Sequence, residues 1–235
     1  MEKNNSKIGI AEAMRIYGGC GSVKLTIIIW SIITLIFLLW YIIFRFVLGS
    51  IIGEIDQGDG EVVNGVSRTS FTMFMFFTSA VGNFIFQMQE FYKNSAGGKY
   101  FRSVRGGFGT YEKMKTGQLL QCICGQALFA GIILLLNTVF HFVNGGLGVC
   151  VSVFLVSLIG TASGRLICMI KNQAAKTLSF FPLMGFYMLI CTCIVGVTDG
   201  HLSTVHIIIL IIAVILIPVS HFADLKNFRK YHWYE

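Results

Sequence analysis

A chain of 235 residues that is 55% hydrophobic and only 12% charged carries too little polar surface to cover a water-soluble core. The formal charge of +7 is read below as a topology signal, and no nucleic-acid partner is needed to explain it. The composition points to an all-α, polytopic protein of the membrane.

Residues 1–24 come first. Ile8, Ile10, Ala11, Met14, Ile16 and Tyr17 intermix with Glu12 and Arg15, which predicts a short amphipathic helix on the inner membrane surface, ended by Gly18-Gly19. A membrane anchor and a docking element explain it equally well. This stretch is too long and too mixed to be a cleavable signal segment.

Six apolar blocks follow, at 25–48, 70–89, 118–143, 147–170, 178–198 and 204–222. A helix needs about 20 residues to cross the hydrocarbon layer, so each block is expected to span. Asn144, Gly145 and Gly146 leave so short a link between the third and fourth that these should form a tight hairpin. The six form one transmembrane domain, 25–222, with a loop at 90–117 and a tail at 223–235.

Orientation follows from lysine and arginine, which are retained on the cytoplasmic side. All but Arg45 and Arg68 of the 18 basic residues fall in or beside the N-terminal segment, the 90–117 loop, the link between the fourth and fifth spans, and the tail. Glu54, Asp56, Asp59, Glu61 and Asp199 collect on the opposite side. Both termini are therefore expected in the cytoplasm and the chain in the plasma membrane.

Between Ser70 and Thr198 the acidic residues are Glu90 and Glu112, both in the basic loop. Arg45, Arg165, His141, His206 and His221 fall near span ends, where side chains can snorkel. A mid-membrane carboxylate of the kind that drives ion-coupled carriers is absent, and so is a ring-forming charge that would line a channel. No H-E-x-x-H, G-x-S-x-G or P-loop pattern occurs. No catalytic residue, metal ligand or cofactor site is expected in this chain. Seven cysteines include the pairs Cys122/Cys124 and Cys191/Cys193; residues two apart on a helix face different ways, so these are buried thiols rather than ligands.

Neutral polar residues within the spans remain. Asn83, Gln87, Gln121, Gln126 and Asn137 either bond helix to helix or line a translocation path. The small-residue stripes Gly160/Gly164 and Gly49/Gly53 suit close helix packing, within the chain or between subunits. In the 90–117 loop, Tyr92, Tyr100, Phe101, Phe108 and Tyr111 alternate with six basic residues, a mixture that suits a protein interface or the headgroup region.

This layout resembles the membrane (permease) subunits of type-2 ATP-binding-cassette exporters, and the stretches Gly98-Lys99-Tyr100-Phe101-Arg102-Ser103-Val104-Arg105 and Tyr111 to Gly117 are similar to their cytoplasmic coupling loop. The resemblance implies a permease subunit without its own ATPase, paired with a second permease copy or paralogue. ATP-Mg would sit on separate nucleotide-binding subunits, and Tyr100, Phe101, Arg102, Arg105, Phe108 and Tyr111 would meet them. The link from Asp199 to Ser203 is shorter than the outer re-entrant helices common in that family. Two other classes stay open: a non-transporting accessory or immunity protein, and an uncoupled channel.

Overall fold

A computed structural model of the chain describes residues 9–17, 23–43, 46, 68–83, 107–170 and 172–232. Every regular element among them is a helix: α1 (Ile10–Tyr17), α2 (Val23–Ile43), α3 (68–83), α4 (Gly107–Phe140), α5 (Gly146–Cys168), α6 (Gln173–Thr198) and α7 (Thr204–His232). Four of them, Gly107–Phe140, Gly146–Ile167, Leu178–Thr198 and Thr204–Arg229, are long and apolar enough to cross a membrane; Ile27–Ile43 in α2 is a shorter apolar stretch. Outward-facing Leu135, Val139, Leu178 and Val197 are 68–80% exposed. Apolar surface on that scale requires lipid around it. The protein is a membrane-embedded helical bundle.

The hub is α5. It is buried along most of its length, whereas α6 and α7 give most of theirs to the surroundings, and it packs against α4, α6 and α7. Small residues permit this. Ser152, Ser157, Thr161 and Ala162 are all buried, and their short side chains let neighbouring helices come close. Gly160 of the predicted stripe is looser: a Cβ there would meet only the Tyr187 ring, at 3.8 Å. Gly49 and Gly53 lie outside the described residues.

Against α4 stands α2, whose inward face carries Trp30, Ile33, Phe37 and Tyr41 at the helical spacing of three to four. Phe37 meets Phe71 of α3 and Phe129 of α4 edge-on, at 5.4 and 5.9 Å between ring centres. The Trp30 indole sits against Gly125, where a Cβ would overlap the ring. Threonines along these helices return their hydroxyls to the carbonyl four residues back, as Thr34 does to Trp30 and Thr78 to Phe74. That satisfies polar groups for which lipid offers no partner.

Two turns close one end of the bundle. In the first, Asn137 uses its side chain as a piece of backbone: its Oδ1 accepts from Val143 N–H at 3.0 Å and its Nδ2 donates to Val143 C=O at 3.3 Å. The expected hairpin between the third and fourth blocks is therefore present, with Gly145 in the left-handed region at φ 72°. Gly200, also at φ 72°, makes the second turn after Asp199 caps α6. The turns touch backbone to backbone: a Cβ on Gly145 would strike the 199–200 peptide, and one on Gly148 the 200–201 peptide. Arg68 joins them, donating to Asn144 C=O at 3.2 Å and pairing with Asp199 at 3.3 Å. Two of the outer-side charges of the sequence reading, Arg68 and Asp199, thus meet at one end.

At the other end the helices run further than hydropathy suggests. The stretch read as loop up to Gly117 is helical from Gly107, and the stretch read as a tail from 223 continues α7 to His232. The reason is mutual packing: Tyr111 stacks on Phe228 at 3.7 Å with the rings 9° apart, and Met14, Met114 and Leu225 close around them. The helix expected before Gly18-Gly19 is α1. It seats Ala13 and Met14 inward, with Met14 over Gly117 of α4. The first described helix and the end of the last therefore lie together.

Candidate functional site

Lys115 and Arg165 are the fully buried charged residues among those described, at 1% and 3% exposure. Burying a charge in a lipid-facing bundle is costly unless partners surround it, so their surroundings define the most chemically distinctive site. Lys115 comes from α4, Arg165 from α5 and their partners from α7. The Lys115 ammonium lies 3.6 Å from Asp224 Oδ2, an ion pair slightly longer than a hydrogen bond, and 5.4 Å from the centre of the Tyr111 ring.

Arg165 binds two helices at once. One guanidinium nitrogen donates to Lys115 C=O at 3.2 Å; another donates to His221 Nδ1 at 3.2 Å. Arginine has no acceptor, so His221 carries its proton on Nε2 in this arrangement. That N–H faces Thr116 Oγ1 at 3.2 Å, and the Thr116 hydroxyl donates in turn to Glu112 C=O at 2.9 Å. A directed chain thus runs from α5 through α7 to α4.

This corrects two expectations. Arg165 does not snorkel; it is held inside the bundle. Lys115 is not a solvated loop charge. Hydropathy reads each residue against lipid or water alone, and neither reading allows for a charged partner arriving from a distant helix. The available signal was Asp224 beside the last apolar block, opposite in sign to every basic residue around it.

The proposed coupling residues divide. Tyr100, Phe101, Arg102 and Arg105 lie outside the described residues. Phe108 stacks on Phe228 at 6.5 Å between centres and has Arg229 over its ring. Tyr111 is buried against Phe228, so its ring belongs to the chain's own packing instead of a free face.

The proposed path residues divide as well. Gln126 donates from Nε2 to Thr161 at 2.8 Å and Asn137 closes its turn. Eleven residues separate them on α4, roughly 16 Å at the helical rise. Gln121 is half-buried between α4 and its surroundings, Asn83 is buried on α3, and Gln87 lies outside the described residues. The described ones do not line up into one polar conduit. Gln126 belongs instead to a set of cross-links on α5 that also includes Ser79 to Ser157 at 3.2 Å and Ser163 to Tyr187 at 2.7 Å.

One further pair resembles a catalytic dyad and is not one. Ser152 Oγ lies 2.9 Å from His206 Nε2, but His206 Nδ1 accepts from Ser203 N–H at 3.1 Å. The proton therefore sits on Nε2, which donates to serine and cannot act as its base. Both side chains are buried, and the contact caps the start of α7. Within the C-x-C pairs, Cys122 and Cys191 are buried while Cys124 and Cys193 face outward. No cluster of metal-binding side chains occurs among the described residues.

In comparisons with known proteins, no family model, curated protein or solved structure matches the chain.

Proposed function

We propose that this chain is the permease subunit of an ATP-driven exporter in the plasma membrane, with six spans and both termini in the cytoplasm. It is driven by separate nucleotide-binding subunits and paired with a second permease copy or paralogue. The observation that carries this reading is the placement of the buried charges. Lys115, Arg165 and Asp224 gather at the end where residues 84–106 lead into α4, and they tie α4, α5 and α7 together. Among the described residues no carboxylate lies at mid-membrane depth, which disfavours a chain driven by an ion gradient. A push delivered at the loop would reach three helices through one junction. Gln126 and Asn137 are spent on internal bonds, which places the transport path of this reading between two membrane subunits.

The test is co-purification in mild detergent. An ATPase should accompany the native chain and be lost when Phe101, Arg102 and Arg105 become alanine. Unchanged association would remove the coupling claim. Purification with no ATPase, in cells that express the neighbouring genes, would favour the accessory or immunity reading. The same internal bonding supports that second reading, because a chain without a conduit of its own need not transport.

A further inference from the structure

A cleft separates α3 from α6 on the outer wall of the bundle. Phe76, Phe77 and Val81 line one side, Phe181, Met184 and Gly185 the other, and its volume is about 360 Å³. That is within the range of small-molecule sites, which are mostly apolar with a few placed polar groups. Gly185 keeps it open: a Cβ there would meet nothing within 4 Å. Phe181 is 62% exposed at the lip, so the mouth faces the acyl chains of the bilayer.

A narrower recess adjoins the cleft, sharing Phe76 and Met184 with it and reaching Asn83, Ser157, Gly160 and Tyr187. Ser157 and Tyr187 already have hydrogen-bond partners in Ser79 and Ser163. Asn83 is different. It is 5% exposed, and its Oδ1 has no hydrogen-bond partner among the described residues. A buried carbonyl without a donor is costly, and no charged residue among those described lines either space. The missing group is therefore a neutral hydrogen-bond donor attached to something apolar.

We infer that the α3–α6 cleft binds a single-chain, uncharged amphiphile from the bilayer. Its chain lies between Phe77 and Phe181, and its hydroxyl or amide N–H donates to Asn83 Oδ1. An anionic phospholipid headgroup is disfavoured because no cation among the described residues lines the recess. The inference stands apart from the permease reading: the ligand can be cargo or a structural lipid, and the site is the same.

The experiment uses the full chain in nanodiscs with a photoactivatable long-chain alcohol as probe. Crosslinks should concentrate in α3 and α6, and unlabelled alcohol should compete for them while its methyl ether, which cannot donate, competes about tenfold less well. Gly185→Trp should abolish the crosslinks, whereas Gly131→Trp, at another glycine with open space around it, should not. Asn83→Leu should erase the preference for alcohol over ether. Crosslinks spread evenly over the outward faces, or equal competition by alcohol and ether in the unaltered chain, would overturn the proposal without depending on any variant's folding. An unphosphorylated alcohol outcompeted by an anionic phospholipid would overturn it too.

Discussion

Lys115 illustrates how one residue can belong to two environments. Its flanking sequence is basic and polar, yet its ammonium is enclosed by Asp224, the Tyr111 ring and the helices that carry them. Removing one member of a buried pair leaves the other charged and unpaired, at a cost of about 3–5 kcal/mol. Lys115→Met should therefore lower the thermal stability of the detergent-solubilised protein sharply. Adding Asp224→Leu should restore most of it, because an apolar pair of similar volume removes the orphaned charge. A double variant as unstable as the sum of the two singles would mean that the pair does not exist. Gly125 makes the opposite kind of demand. Its missing side chain is the space that the Trp30 indole fills, so Gly125→Leu should cost about 1–3 kcal/mol through overpacking. Gly131→Leu, on the same helix with nothing nearby, should melt as the unaltered protein does.

At the scale of elements, the turn between α4 and α5 depends on one side chain. Asn137→Ala would leave both the N–H and the C=O of Val143 without their partner, and the expected loss is about 2 kcal/mol, read as a lower unfolding midpoint. Hydrogen exchange should also rise at Val143 and not at the distant Gln126. The four long helices were legible in the amino-acid sequence because lipid-length apolar runs have few alternatives. Two of their ends were not. The 118 and 222 boundaries mark where apolarity stops, whereas α4 begins at Gly107 and α7 ends at His232. A helix continues past the hydrocarbon wherever its polar turns find each other. The clue was a helical spacing that hydropathy averages away: Phe108, Tyr111 and Met114 on one element, Leu225 and Phe228 on the other. The charged junction was less legible still, since its members lie about 50 to 110 residues apart in the chain and meet only once α4, α5 and α7 have packed.

For the whole molecule, the alternation of helices places α1, the start of α4 and the end of α7 together, and sets the Arg68–Asp199 clamp at the far end. The exporter proposal, with its external ATPase, depends on which of those ends faces the cytoplasm. The most direct measurement is labelling by a membrane-impermeant maleimide in intact cells, on a chain whose native cysteines have been replaced. Asp199→Cys should react from outside, and Lys226→Cys, at the exposed end of α7, only after the membrane is permeabilised. Reaction of Lys226→Cys in intact cells, or protection of Asp199→Cys until the cells are opened, would contradict the account.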